Sequence, residues 1–182
     1  MITQIIIEQC QRGETSAQRK VFAAYGGVLF KVAWRYLQER MAAEDAVAQG
    51  FAKAFQEMAK CKFDSVAKLE AWLRRIVVNE ALGILRERYK WTWAELSELP
   101  QYSTGMEEQL DDLSAAEILK LIAALPPGYR TVFNLAVIEG YSHPEIAKLL
   151  EISEGTSKSQ LSKAKALLQC KIKKLYWHDF QK

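Results

Sequence analysis

The chain has 182 residues, 49% hydrophobic and 26% charged, with 25 Lys and Arg against 22 Asp and Glu. Such a length and composition fit one large or two small domains of an ordinary soluble protein. The net +3 hides an order: residues 1–93 carry 15 bases and 10 acids, 94–117 carry seven acids and no base, and 118–182 carry ten bases and five acids.

The longest uncharged run, Val21 to Phe30, is ten residues long, far short of the roughly 20 that span a bilayer. Residues 1–8 have no basic lead and no small-residue cleavage site, which argues against a secretory signal. Cys10, Cys61 and Cys170 are odd in number and widely spaced, and with only His143 and His178 they form no metal-binding cluster. The expectation is a cytoplasmic protein with reduced cysteines, without membrane insertion, metal or cofactor.

Nine glycines and four prolines leave few breaks, and no segment sustains the alternation of a strand, so the pattern is helical nearly throughout. Thr3 is placed to cap a first helix that Gly13 ends. A second, from about 16 to 40, brings Val21, Phe22, Tyr25, Val28, Leu29, Val32, Ala33, Tyr36 and Leu37 to one face at spacings of three and four. A third, from about 42 to 58, aligns Ala46, Val47, Phe51, Ala54 and Phe55. After an irregular stretch at 61–66, a fourth runs from about 68 to 90 with Leu69, Trp72, Leu73, Ile76, Leu82 and Leu85 inward. In residues 94–113, Pro100, Ser103, Thr104 and Gly105 sit among acids, the pattern of a linker. Helices resume at Ser114, which forms an S-x-x-E capping box with Glu117; Leu125-Pro-Pro-Gly128 breaks that helix, and the next ends near Gly140. The predicted fold class is all-α: two small helical domains, 1–93 and 114–182, joined by a flexible acidic linker at 94–113.

The second domain carries the clearest motif. Ser142-His-Pro-Glu145 is another S-x-x-E box, with Pro144 in the first turn where a missing N–H costs nothing. Its helix runs to Leu150, Glu151-Ile152 makes a short turn, and Ser153 caps a further helix through Leu168. Two helices joined this way are a helix-turn-helix. On the second of them Leu161, Ala164 and Leu168 share a core face, while Ser159, Ser162, Lys163 and Ala166 lie opposite. Hydroxyls and lysines suit a helix entering the major groove, and residues 155–174 hold six lysines and no acid.

These residues resemble a known family. Leu125-Pro-Pro-Gly-Tyr-Arg-Thr-Val-Phe133, Glu139-Gly-Tyr-Ser142, Glu145-Ile-Ala147 and Ile152-Ser-Glu-Gly-Thr156 are similar to region 4 of bacterial RNA polymerase sigma factors of the sigma-70 family, above all its extracytoplasmic-function (ECF) group. The resemblance implies that Thr156, Lys158, Ser159, Ser162 and Lys163 meet the −35 promoter element. The chain departs from the usual pattern at Ser157, often valine, at Gln160, often arginine, and at Glu151, which replaces a common glycine.

In the first domain, Trp72-Leu-Arg-Arg-Ile-Val-Val-Asn79, Ala81-Leu82 and Leu85-Arg86 resemble the region 2 helix that melts the −10 element. Strand separation needs surfaces for extruded bases and cations for the single-stranded backbone. Arg74, Arg75, Arg86, Arg88 and Lys90 supply charge along this helix, and Asn79 is placed to read a base edge. Trp72 shares the stripe of Leu69 and Ile76 and reads as core. The stretch 61–68 falls where the family has its specificity loop, which makes Lys62, Phe63, Ser65 and Lys68 candidates for −10 contact, with Arg75, Asn79 and Arg86 beside them. Phe63 can equally anchor that loop to the core.

Ala43-Glu-Asp-Ala-Val-Ala-Gln-Gly-Phe51 resembles the helix that docks on the polymerase β′ coiled coil, with Glu44, Asp45 and Gln49 at the contact positions. Ala48-Gln49 stands where many relatives have glutamine-acid, Gly83 where they often have aspartate, and Gly50 weakens a helix by about 1 kcal/mol relative to alanine.

The function expected is promoter recognition with core RNA polymerase (its β′ and β subunits) and promoter DNA as partners, together with an anti-sigma factor. The acidic linker would run through the basic RNA-exit path of the polymerase. The competing expectation is a stand-alone helix-turn-helix regulator. An enzyme is disfavoured, because no nucleotide-binding glycine motif, nucleophile elbow or metal cluster is found.

Overall fold

The computed structural model describes residues 2–88 and 114–179, with the side chains of 115 and 174–179 excepted. The expected linker at 94–113 and the cation Lys90 lie outside the described residues. The chain divides into two units after Arg88. Among the described residues every regular element is helical.

The first unit holds α1 (Gln4–Gln11), α2 (Thr15–Leu37), α3 (Arg40–Glu57), a 3₁₀ turn (Met58–Lys60) and α4 (Val66–Arg88). The Thr3 hydroxyl accepts from the Ile6 amide at 3.4 Å, and Gly13 leaves α1 with φ +81°. The second and third helices part at Gln38, whose φ of +53° reverses the chain while its Nε2 donates to the Trp34 carbonyl at 2.9 Å. Arg40 therefore opens α3 rather than closing α2.

The three long helices pack on one another pairwise, and α1 lies on α2. The inner face of α3 is Ala42, Ala43, Ala46, Val47, Gly50, Phe51 and Ala54, mostly small residues, so its neighbours approach closely. Gly50 is the point of closest approach: a Cβ there would lie 2.7 Å from Val77 Cγ2 and 3.5 Å from Val77 Cα on α4. The residue that reads as a weakness in the helix is the one that lets α3 cross α4. The expected faces need adjustment at their margins. Phe22 (48% exposed) and Val28 (45%) lie outside the buried stripe of α2. Trp72 and Ile76 are only half-buried on α4, where Leu69, Leu73, Val77, Val78, Ala81, Leu82 and Leu85 are inside. A stripe picked by spacing is wider than the strip a neighbouring helix can cover.

The second unit holds α5 (Ala115–Ala123), α6 (Pro127–Phe133) continued by a π turn (Asn134–Ile138), α7 (His143–Leu150) and α8 (Glu154–Asp179). Glu117 accepts from both the amide (3.0 Å) and the hydroxyl (2.7 Å) of Ser114, and these bonds hold its carboxyl below the usual range. At the other end of α5 two cations meet the open carbonyls. Arg130 Nη1 donates to Ala123 O (3.1 Å) and Leu125 O (3.0 Å), and Lys171 Nζ donates to Ala124 O (3.2 Å). Cations are favourable at a helix C-terminus for this reason. Gly140 ends the π turn with φ +76°. Ile122, Leu125, Tyr129, Ala164 and Leu168 form the core that ties α5 and α6 to α8.

Candidate nucleic-acid interface

The helix-turn-helix is α7, a turn, and α8. Glu145 accepts from the Ser142 amide at 2.8 Å and its hydroxyl at 2.6 Å, which starts α7. Glu151 makes the turn at φ +57°, in the left-handed region, with its amide bonded to Ala147 O. For a residue with a Cβ that conformation costs about 1–2 kcal/mol. Ser153 then caps α8: its hydroxyl accepts from the Thr156 amide at 2.9 Å and meets Thr156 Oγ1 at 2.9 Å.

On α8 the exposed side is Lys158, Ser159 and Ser162, with Thr156 and Lys163 half-buried beside them. Lys158 pairs loosely with Glu154 at 3.7 Å, while the hydroxyls of Ser159 and Ser162 face solvent. Thr156 spends its hydroxyl on the cap. The buried side is Ser157, Gln160, Ala164 and Leu168, with Leu161 at its margin. Ala166, expected outside, is buried. The helical wheel accounts only for neighbours on its own helix, whereas burial depends also on what packs from elsewhere in the chain.

Two of the departures in this helix acquire a physical setting. Ser157 is fully buried, and its hydroxyl is 2.8 Å from His143 Nδ1 at the start of α7, so a directional bond ties the first turn of α8 to α7. Gln160, 3% exposed, has its Oε1 buried without a partner. Sequence reasoning missed His143. The available signal was Ser157 itself, which shares the register of Leu161, Ala164 and Leu168 and so needs a partner in the interior.

In the first unit the loop 61–65 joins the 3₁₀ turn to α4. Phe63 is 7% exposed and packs edge-on against Trp72, with ring centroids 5.1 Å apart. Of the two readings the sequence offers for Phe63, this packing favours the anchor, because an aromatic ring gains more from the apolar side of Trp72 than from water. The Ser65 hydroxyl accepts from the Lys68 amide at 3.3 Å and caps α4, and Lys68 pairs with Asp64. Lys62 is exposed on the loop.

Along α4, Arg75 is exposed, Arg86 half-buried, and Asn79 half-buried with its Oδ1 buried and unpartnered. Arg74 lies 3.8 Å from Glu70, and Arg88 binds Glu39 at 2.6 Å, fastening the end of α4 to the turn before α3. Sequence reasoning also missed Gln4 and Gln11. Gln4 Nε2 donates to Phe63 O at 2.8 Å, and Gln11 Nε2 donates to Cys61 O at 2.6 Å.

Glu44, Asp45, Ala48 and Gln49 line the outer face of α3, opposite the alanines. Glu44 is held by Arg40 at 2.8 Å, whereas Asp45 faces no cation among the described residues. Nothing would meet a Cβ at Gly83 within 4 Å. Burial pushes the Cys10 thiol up to about 11, which leaves it neutral and unreactive at neutral pH. No group of His, Cys, Asp and Glu able to hold a metal ion occurs among the described residues, and no described helix is long and apolar enough to cross a membrane.

Residues 21–90 match the family model of sigma-70 region 2, and residues 115–168 that of sigma-70 region 4. The chain is 26% identical over 184 residues to the ECF RNA polymerase sigma-E factor of Haemophilus influenzae, a match covering 94% of this chain and 96% of the relative. It is also 26% identical over 181 residues to the ECF RNA polymerase sigma factor SigW of Bacillus subtilis, covering 93% and 96%. In fold it is similar to CnrH, solved in complex with the cytosolic domain of CnrY. That match has a TM-score of 0.50 and 24% identity and covers 93% of this chain and 96% of the other.

Proposed function

Because the chain belongs to the sigma-70 family of RNA polymerase sigma factors, in its ECF group, we propose a division of labour between its two units on polymerase and promoter. The observation that carries the reading is the order of the two matches, region 2 before region 4, on a chain that divides into two units. This protein has no reaction of its own to catalyse; it lends the core enzyme a promoter preference.

The first unit docks on core polymerase through the outer face of α3. Glu44, Asp45 and Gln49 meet basic residues of the β′ subunit there, and Asp45 contributes most because no cation among the described residues neutralises it. Its loop and α4 hold the opened −10 element. Arg75 and Arg86 face the single-stranded backbone, Lys62 and Lys68 flank the base, and Asn79 offers its amide. Ser65 and Phe63 support these residues by capping α4 and anchoring the loop.

The second unit places the first turns of α8 in the major groove at −35. Ser159 and Ser162 offer unspent hydroxyls to base edges, Lys158 and Lys163 meet phosphate or guanine, and Thr156 sets the capped end toward the backbone. The acidic stretch at 94–113 is the segment that would run through the basic RNA-exit path of the polymerase. An anti-sigma protein holds the factor in reserve in the cytoplasm: the related sigma factor RpoE of Bartonella quintana was solved with the anti-sigma factor NepR.

Run-off transcription tests the reading. Purified protein added to core polymerase should yield a transcript from a discrete start, and Asp45→Arg should reduce both core association and yield while leaving helix content intact. Tight, sequence-specific DNA binding by the protein alone, with no polymerase-dependent start, would mark it as a stand-alone regulator.

A further inference from the structure

We propose that α1 is a brace for the loop 61–65, and that Gln4 and Gln11 are positioning residues for capture of a −10 base; the inference rests on the −10 reading above. The loop leaves its own backbone carbonyls outside any helix, and such groups need donors. Two amides of one helix supply them. Gln11 Nε2 donates to Cys61 O at 2.6 Å and reaches Met58 O at 3.4 Å, and Gln4 Nε2 donates to Phe63 O at 2.8 Å.

Gln4 and Gln11 lie two turns apart on one face of α1, so they grip the backbone on either side of Lys62. The helix itself is fixed, because Ile7 and Cys10 are 0% and 1% exposed in the core. On its far side the loop is held by Phe63 against Trp72 and by Ser65 at the start of α4. The loop has no glycine, and its shape is imposed from three directions. Lys62, Asp64 and Lys68 remain as its outward groups. A surface that must choose among four extruded bases gains from being ordered before the base arrives, and α1 supplies that order. Neither glutamine need touch DNA.

The test uses the assembled holoenzyme and a pool of single-stranded oligonucleotides with a randomised six-base block. Wild type should enrich one base at one position or more. The pair Gln4→Ala with Gln11→Ala should cut that preference about fivefold, the factor of one net hydrogen bond, while the free protein keeps wild-type helix content and melts only a few degrees earlier. Gln4→Lys with Gln11→Lys, which keeps donors of similar reach, should restore it. The proposal is overturned if the alanine pair keeps the full preference. It is also overturned if the lysine pair does not recover the preference, or if the alanine pair loses helix content, which would make the amides part of the fold alone. A wild-type holoenzyme that enriches no base overturns the −10 reading, and the brace with it.

Discussion

The two units are held together by different kinds of side chain. Among the described residues, the buried side chains of the first unit are hydrocarbon, aromatic or sulfur-bearing. The second unit, three of whose four α-helices are short, adds Arg130, Thr131, Asn134, Ser157 and Gln160 to its interior. Apolar contact is non-directional and rewards close approach, and the first unit exploits it by lining α3 with alanines and a glycine. Hydrogen bonds are directional. The second unit uses them to fix angles: Arg130 closes the end of α5, Thr131 Oγ1 donates to Pro127 O at 2.8 Å, and Ser157 ties α8 to His143. On the function proposed above, the helix that reads a groove has to be aimed, and the helices that dock and melt have to be rigid.

The largest expected effect breaks this contrast on its apolar side. Gly50→Leu must push Val77 away from a position 2.7 Å from its Cβ, and forcing side-chain volume into such a crossing costs about 3 kcal/mol. Urea unfolding of the first unit should show that loss, whereas a neutral result would mean that α3 and α4 separate without penalty. A smaller effect sharpens the polar side. Gln160→Met removes a buried oxygen that has no partner and should stabilise the second unit by about 1 kcal/mol in thermal or urea unfolding. A loss of stability would show that the amide is needed.

The smallest effect concerns the turn. Glu151→Gly relieves a left-handed backbone worth about 1–2 kcal/mol but loosens the unfolded chain by about 0.5–1 kcal/mol. A gain of about 0.5 kcal/mol should remain, visible as a small rise in the second unit's melting temperature.

The helices were legible in the sequence to within a few residues, because capping and periodicity are local: Thr3, Ser114 with Glu117, and Ser142 with Glu145 all stand where the pattern puts them. What spacing could not show is what two distant segments do to each other. Gly50 reads as a weak point until Val77 is seen beneath it, and 61–66 reads only as an irregular stretch until Gln4 and Gln11 are seen gripping it. Phe63 has the chemistry of a stacking platform, and only its burial against Trp72 favours anchoring. On α8 the outward hydroxyls were legible, while the buried partners Ser157 and His143, fourteen residues apart, were not.

The claim that each unit serves its own promoter element is tested most directly by footprinting. On a template selected by the wild-type holoenzyme, hydroxyl-radical cleavage should show an upstream and a downstream protected block, with permanganate-reactive thymines only in the downstream one. Lys158→Ala combined with Lys163→Ala should erase the upstream protection and leave downstream opening intact at saturating holoenzyme. Upstream protection that survives, or the loss of both blocks together, would contradict the division between the two units.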